Sequence, residues 1–240
     1  MEVVMNSPLQ AIRARRAIKH FVPVVISDDI RREILDAARS APSSFNIQPY
    51  RFYWIESPEQ KRIASELCMG QKPAETAQVL VVAVADIGSW DATVHGQLAW
   101  MRKEPAMQDK VAEHERRAKF AKWFFVQGWF NILGGVKWVL LTVLHLWKKI
   151  GMAPVTRQGL FKWATKNTAL ACQNLMIAAE ALDLNTCPME GFDGRRLSQF
   201  LELSPRNHEI VMVIAIGKKS AAHIDYPQWR RPLESTVAVL

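Results

Sequence analysis

Apolar and polar positions alternate along this chain in two rhythms, and the rhythms predict its elements. Pro8 to Arg16 reads as a short first helix. Ser27-Asp28-Asp29 offers an N-cap followed by acids, which favour the positive end of a helix dipole. Ile30, Ile34, Leu35, Ala37 and Ala38 then recur at helical spacing until Pro42 stops the run. A polar loop, Ser43 to Pro49, leads into an aromatic and β-branched stretch, Arg51 to Glu56, that predicts a strand. Ser57-Pro58-Glu59-Gln60 starts another helix, with Ser as cap and Pro at the first turn. Val79 to Ala85 is continuously apolar and of strand length, as a central strand buried on both faces would be. Lys166 to Leu182 predicts an amphipathic helix with Leu170, Ala171, Leu175, Ala178, Ala179 and Leu182 on one side. A further helix is expected over Asp193 to Leu201, and a second buried strand over Ile210 to Ile216. The tail after Gly217 has few periodic cues and is expected to wrap over another part of the molecule. No internal repeat or low-complexity segment is visible.

Length and composition narrow the picture. The 240 residues, 49% hydrophobic and 22% charged, suit one sizeable α/β or α+β domain, or at most two small ones. The net charge of +8 suggests an anionic partner: nucleic acid, phospholipid or a phosphorylated cofactor. Cys68, Cys172 and Cys187 are widely spaced and odd in number, against a disulfide framework or a zinc site. Met1-Glu2-Val3 does not open a secretory leader, and a reducing, cytoplasmic setting is expected. The six histidines show no metal-binding spacing, and no P-loop or GxGxxG run is present. The cations are not interleaved with aromatics in a nucleic-acid module, so no nucleic-acid partner is expected.

Three stretches carry candidate chemistry. Arg15-Arg16-Ala17-Ile18-Lys19 places three cations at a helix end, where guanidinium groups can clamp a phosphate; a solvated basic face is the plainer reading. Ala41-Pro42-Ser43-Ser44-Phe45-Asn46-Ile47-Gln48-Pro49 holds short donors and acceptors between prolines, suited to the edge of a flat heterocycle, or else to an ordinary turn. Thr186-Cys187-Pro188-Met189-Glu190-Gly191-Phe192 follows a long helix and a short extended piece. Its glycine lets backbone approach a ligand, and a backbone N–H there can stabilise negative charge; a turn capped by Asp193 is the alternative. Cys187 fits a small buried residue better than a nucleophile.

In this order and spacing the three stretches resemble the nitroreductase-like family of FMN-dependent oxidoreductases, over about residues 8–86 and 160–235. A basic residue near the C-terminus, Arg230 or Arg231 before Pro232, completes the pattern. The resemblance implies an α+β fold: a central, mainly antiparallel sheet flanked by helices, dimerised through the long central helix. It implies FMN at the dimer interface. Arg15, Arg16 and Lys19 would hold the phosphate and Arg230 would close on it. Pro42, Ser43, Ser44 and Asn46 would come from the partner subunit, and Pro188, Met189, Glu190 and Gly191 would lie along the ring system. Ala17 stands where the family often has Ser, and Gln71 and Lys72 correspond only loosely to its polar flavin contacts. The implied mechanism is ping-pong. NADH or NADPH reduces the flavin, and a nitroaromatic, quinone or similar flat apolar acceptor then takes the electrons in a homodimer. Flavin reduction, dehalogenation and oxidative flavin cleavage are known on the same fold. From a different class, a non-enzymatic, membrane-associated binding protein would explain the charge but not the Ser-Asn loop.

The region least like the family spans about residues 87–160, and it is expected to be a helical insertion in a single domain of residues 1–240. Trp90, Trp100, Trp123, Trp129, Trp138 and Trp147 lie within it, with Trp163 just beyond. Trp123 to Trp147, followed by Lys148-Lys149, is strongly apolar but broken by Gly134-Gly135 and Lys137. Crossing a bilayer takes about 20 continuous apolar residues. Three roles stay open: a lid over the acceptor, dimer packing, or peripheral membrane contact through residues 123–149. A lid would favour flat aromatic acceptors, and a surface anchor would bring the enzyme to a lipid-soluble quinone.

Overall fold

The computed structural model describes residues 7–128, 131–148, 154–221, 223–224 and 226–239. The first three residues, Trp129 and Lys149, which entered the sequence reading, lie outside them. Five strands build the sheet: β1 (Phe21–Val22), β2 (Tyr50–Ile55), β3 (Val79–Asp86), β4 (Asn185–Met189) and β5 (His208–Lys219). β5 is the hub. One edge pairs with β3, which pairs in turn with β2; the other edge pairs with β4 and, at its end, with β1. All four ladders are antiparallel, and one isolated parallel bridge joins Ala17 to Thr186.

The continuous apolar run of β3 follows from burial on both faces. Leu80, Val82 and Val84 enter one core with Ala64, Cys68, Leu197, Val213 and Ala215. Val79, Val81 and Ala83 enter the other with Ile34, Ala38, Cys172, Leu175, Ile214 and Ile216. The first core is roofed by α3 (Pro58–Leu67), the short α4 (Lys72–Thr76) and α9 (Gly194–Phe200). The second is roofed by α2 (Asp28–Arg39) and α8 (Arg157–Ala181). α1 (Pro8–Ala14) lies against α8. The mainly antiparallel α+β sheet expected from the sequence is therefore present.

Several boundaries move for physical reasons. β5 extends beyond Ile210–Ile216 at both ends because it carries three partners. α8 begins nine residues before Lys166, at a Thr156 cap whose hydroxyl accepts from the Gly159 N–H at 3.0 Å. Its Leu170 does not share the inner face of Ala171 and Leu175 and is 49% exposed. The Thr186–Phe192 run is not all turn, since its first four residues complete β4. Pro188, which has no N–H, is tolerated because β4 forms a ladder along one edge only. Asp193 caps α9, as its alternative reading required, by accepting from the Arg196 N–H at 3.0 Å. Among its described residues the tail forms one short turn, Leu233–Ser235.

Between β3 and α8 stand α5 (Trp90–Lys103), α6 (Val111–Phe125) and α7 (Ile132–Trp147). Trp90 stacks on Phe125 at 5.2 Å, and Phe125 meets Trp163 edge-on at 5.3 Å, which fastens α5 and α6 to α8. None of the described helices is long and apolar enough to cross a membrane.

Candidate functional site

α1 ends at Arg15, where the backbone turns extended and runs past β4. The Ile18 N–H donates to the Thr186 carbonyl at 3.0 Å, and Lys19 Nζ donates to Cys187 Sγ at 3.5 Å. Arg15 and Lys19 thus converge on the start of β4. Arg15 also exerts its charge on Glu180, near the end of α8. Two buried atoms here have no hydrogen-bond partner among the described residues: Arg15 NH1 and Thr186 Oγ1. A buried donor without a partner is costly, and both atoms lie where the chain after α1 runs past β4.

Arg16 also serves α1 itself. Its NH1 donates to the carbonyls of Arg13, Ala14 and Arg15 at 2.7, 2.9 and 3.3 Å, capping α1 at its negative end. Ala17 contributes backbone alone. The tail reaches the same corner: Gln228 Nε2 donates to the Arg15 carbonyl at 3.2 Å, and Arg230 NH2 donates to Gln228 Oε1 at 2.7 Å. Arg230 is therefore one hydrogen-bonded residue away from Arg15.

Further along β4, Met189 is buried in the first core, while Pro188 is half-buried and Glu190 and Gly191 are exposed. Gln71, at the start of α4, donates from Nε2 to the Gly191 carbonyl at 2.6 Å. Arg15 and Lys19 thus lie by the start of β4, Gln71 is bonded to the turn that follows it, and Arg230 is linked to Arg15 through Gln228. Cys187 is buried. Burial pushes its thiol up more strongly than Lys19 and Arg15 pull it down, which keeps it protonated and a poor nucleophile.

The Pro42–Asn46 loop is elsewhere. Its Ser44 N–H donates to Asn167 Oδ1 at 3.0 Å, and Ser43 Oγ accepts from the Gln48 N–H at 3.0 Å. Gln97 of α5 donates to the Asn46 carbonyl, and Gln48 Nε2 donates to Asn46 Oδ1 at 3.1 Å. Phe45, Asn46 and Gln48 all take left-handed backbone, with φ of 57°, 53° and 51°. Such conformations cost about 1–2 kcal/mol each for ordinary residues. Asn167 and Glu180 are thirteen residues apart on α8, which separates the loop from the Arg15 corner by roughly 20 Å along the helix. Within one chain the two halves do not meet.

Comparison with known proteins bears on this arrangement. The family model described as Nitroreductase family matches residues 12–218. The chain belongs to the nitroreductase family. The DrgA protein of Synechocystis is 29% identical over 222 residues, 92% of this chain and 87% of that protein. An NADH dehydrogenase of Thermus thermophilus is 27% identical over 238 residues, 98% and 96% of the two chains. A protein of Exiguobacterium sibiricum solved in complex with FMN shares the fold, with a TM-score of 0.74 at 21% identity and coverage of 98% and 97%. The enone reductase CLA-ER of gut-bacterial fatty acid saturation shares it too, with a TM-score of 0.71 at 20% identity and 99% coverage of each chain.

In this nitroreductase-family chain some participants were invisible to motif reading. Thr186 belongs to the Thr186–Phe192 stretch, where nothing in its residue type distinguishes it; its burial without a partner does. Gln228 had no signal beyond its nearness to Arg230. Asn167 and Gln97, which hold the Ser-Asn loop in shape, sit on helices whose sequences give no hint of it.

Proposed function

We propose that the chain is an FMN-dependent NAD(P)H oxidoreductase, acting as a homodimer on a flat apolar acceptor of the nitroaromatic or quinone class. The observation that carries this reading is that Arg15 NH1 and Thr186 Oγ1 are both buried without a partner where the chain after α1 runs past β4. That donor pair fits a phosphate: a guanidinium and a hydroxyl, with Lys19 alongside and Arg230 tethered through Gln228. Pro188, Met189, Glu190 and Gly191 would line the ring system through backbone, since the Met189 side chain is committed to the core. Gln71 would hold that turn in place rather than touch the ring. When bound, FMN would supply two-electron chemistry between a nicotinamide and the acceptor, consistent with a ping-pong cycle. Pro42, Ser43, Ser44 and Asn46 would complete the site from the partner subunit. The roughly 20 Å between the two halves along α8 supports that division.

Purified protein should be yellow and should bleach with NADH or NADPH. Colourless protein that ignores added FMN would overturn the reading. Arg15→Ala should weaken FMN binding about tenfold or more at unchanged folding, since a charge-assisted contact is worth about 1.5–3 kcal/mol. Arg230→Ala should add to the loss, read by flavin fluorescence on dilution.

A further inference from the structure

α7 is built inside out. Its covered stripe is Gly134, Lys137 and Leu141, and Lys137 Nζ donates to the carbonyls of Trp123 and Val126 at the end of α6. Its outward surface is apolar instead, from Ile132 through Trp138 to Leu146 and Trp147, which are 78% and 83% exposed. A helix that is apolar nearly all round does not rest in water. Between α6 and α7 runs an apolar groove of about 520 Å³, floored by Trp123, Leu133 and Leu140 and edged by Lys119 and Lys122. Among the described residues neither of these two lysines makes an ion pair.

The positive charge of the chain is concentrated in the stretch of sequence that contains this face. From Arg116 to Ala179 there are ten Lys and Arg and no Asp or Glu. The other 176 residues hold 21 cations and 23 acids, a net of −2, so the whole +8 excess originates in this stretch. We propose that α6 and α7 dock the protein on an anionic bilayer surface. α7 would lie in the interface plane with its aliphatic and Trp side chains among the acyl chains, and Lys119, Lys122 and Lys148 at the headgroups. Sixteen residues span about 24 Å, short of the roughly 30 Å needed to cross, so the helix lies on the membrane. A second copy of the same face fits worse, because it would bring two basic surfaces together. Nucleic acid fits worse because Ile, Leu and Val offer nothing to a sugar-phosphate backbone.

The test is co-sedimentation of the full-length protein with vesicles of mixed phosphatidylcholine and phosphatidylglycerol. Binding should exceed that to phosphatidylcholine alone by about tenfold or more, and should fall in about 0.5 M salt. Lys119→Glu with Lys122→Glu, both exposed, should lower binding about tenfold or more at an unchanged melting temperature. Leu146→Ser with Trp147→Ser should lower binding about tenfold or more and shrink the blue shift of tryptophan emission on vesicles. Absence of binding to the anionic vesicles, equal binding to neutral ones, or binding untouched by both variants would overturn the proposal. So would wild type that leaves vesicles alone and instead self-associates through this face or is retained on single-stranded RNA. The result is independent of the flavin reading: colourless protein that still binds the vesicles sinks only the latter, and yellow, bleachable protein that ignores them sinks only this one.

Discussion

Glu180 sits half-buried where α8 ends, with Asn185 Nδ2 at 3.4 Å and Arg15 nearby. Burial raises its pKa above the usual 4.5, more than Asn185 and the cation Arg15 lower it. A carboxyl with a raised folded-state pKa binds its proton more tightly folded than unfolded. It therefore favours folding below the unfolded pKa, and that advantage is lost as pH rises through the folded one. Glu180→Gln should flatten this part of the stability curve just above pH 4.5, as read by urea midpoints across pH. An unchanged slope would show that another group titrates there. The cysteines give a second residue-scale expectation. Burial pushes Cys68 up to about 11 and Cys172 up to about 12, and raises Cys187 as well. At pH 8 Ellman's reagent should find none of the three in native protein and all three after denaturation. Rapid native reaction of one thiol, traced to Cys187, would revive it as a nucleophile.

Among the elements, Gly134 is the position where α7 depends on a missing side chain. A Cβ there would meet the Gln127 amide and come within 3.0 Å of the Val155 carbonyl. Gln127 cannot easily yield, because its Nε2 donates to the Val155 carbonyl at 2.8 Å and to the Phe124 carbonyl at 3.2 Å. Gly134→Ala should destabilise the α6–α7 pair by about 1–3 kcal/mol, seen as faster amide exchange in 111–147 with β3 and β5 unchanged. Gly135, with open space around it, is the control, and its alanine variant should be neutral or better. The same region shows where sequence reading ran out. α2, β3 and β5 were legible because each has one or two faces whose period matches its geometry. α7 has no such period, since its polar Lys137 points inward and its apolar residues outward. β1 is two residues long and too short for a pattern. β4 was hidden by Pro188, which reads as a turn until it is known that the strand pairs along one edge at that position. Within the candidate site, Arg15, Lys19 and Gly191 belonged to stretches readable as motifs. The division of labour between Arg15 and Arg16 was not, because both are arginines at one helix end and only the rotamer separates them.

For the whole molecule, the distance along α8 between the Ser-Asn loop and the Arg15 corner makes the proposed site composite. Mixing two inactive variants then has a defined outcome. Arg15→Ala and a second chain carrying Asn46→Ala with Ser44→Pro each spoil every site in their own homodimers. A mixed dimer keeps one site with both halves intact. Co-refolding the pair should recover about a quarter of wild-type activity when subunits assort at random in obligate dimers. No recovery would mean that both halves act within one subunit.

β5 joins three other strands, and it is nearly the last element made. β3, apolar on both faces, is completed 122 residues before His208 is added. At about 5–20 residues per second that is a wait of roughly 6–24 s. β2, α2, α3 and α4 are available to cover β3 from the start of that time, and α8 joins them only late in it. Its free edge is a ready template for wrong pairing, and β5 closes it only near the end of synthesis. Yield in the cell is thus set by how long a growing chain can be kept from its neighbours, as well as by how stable the finished one is.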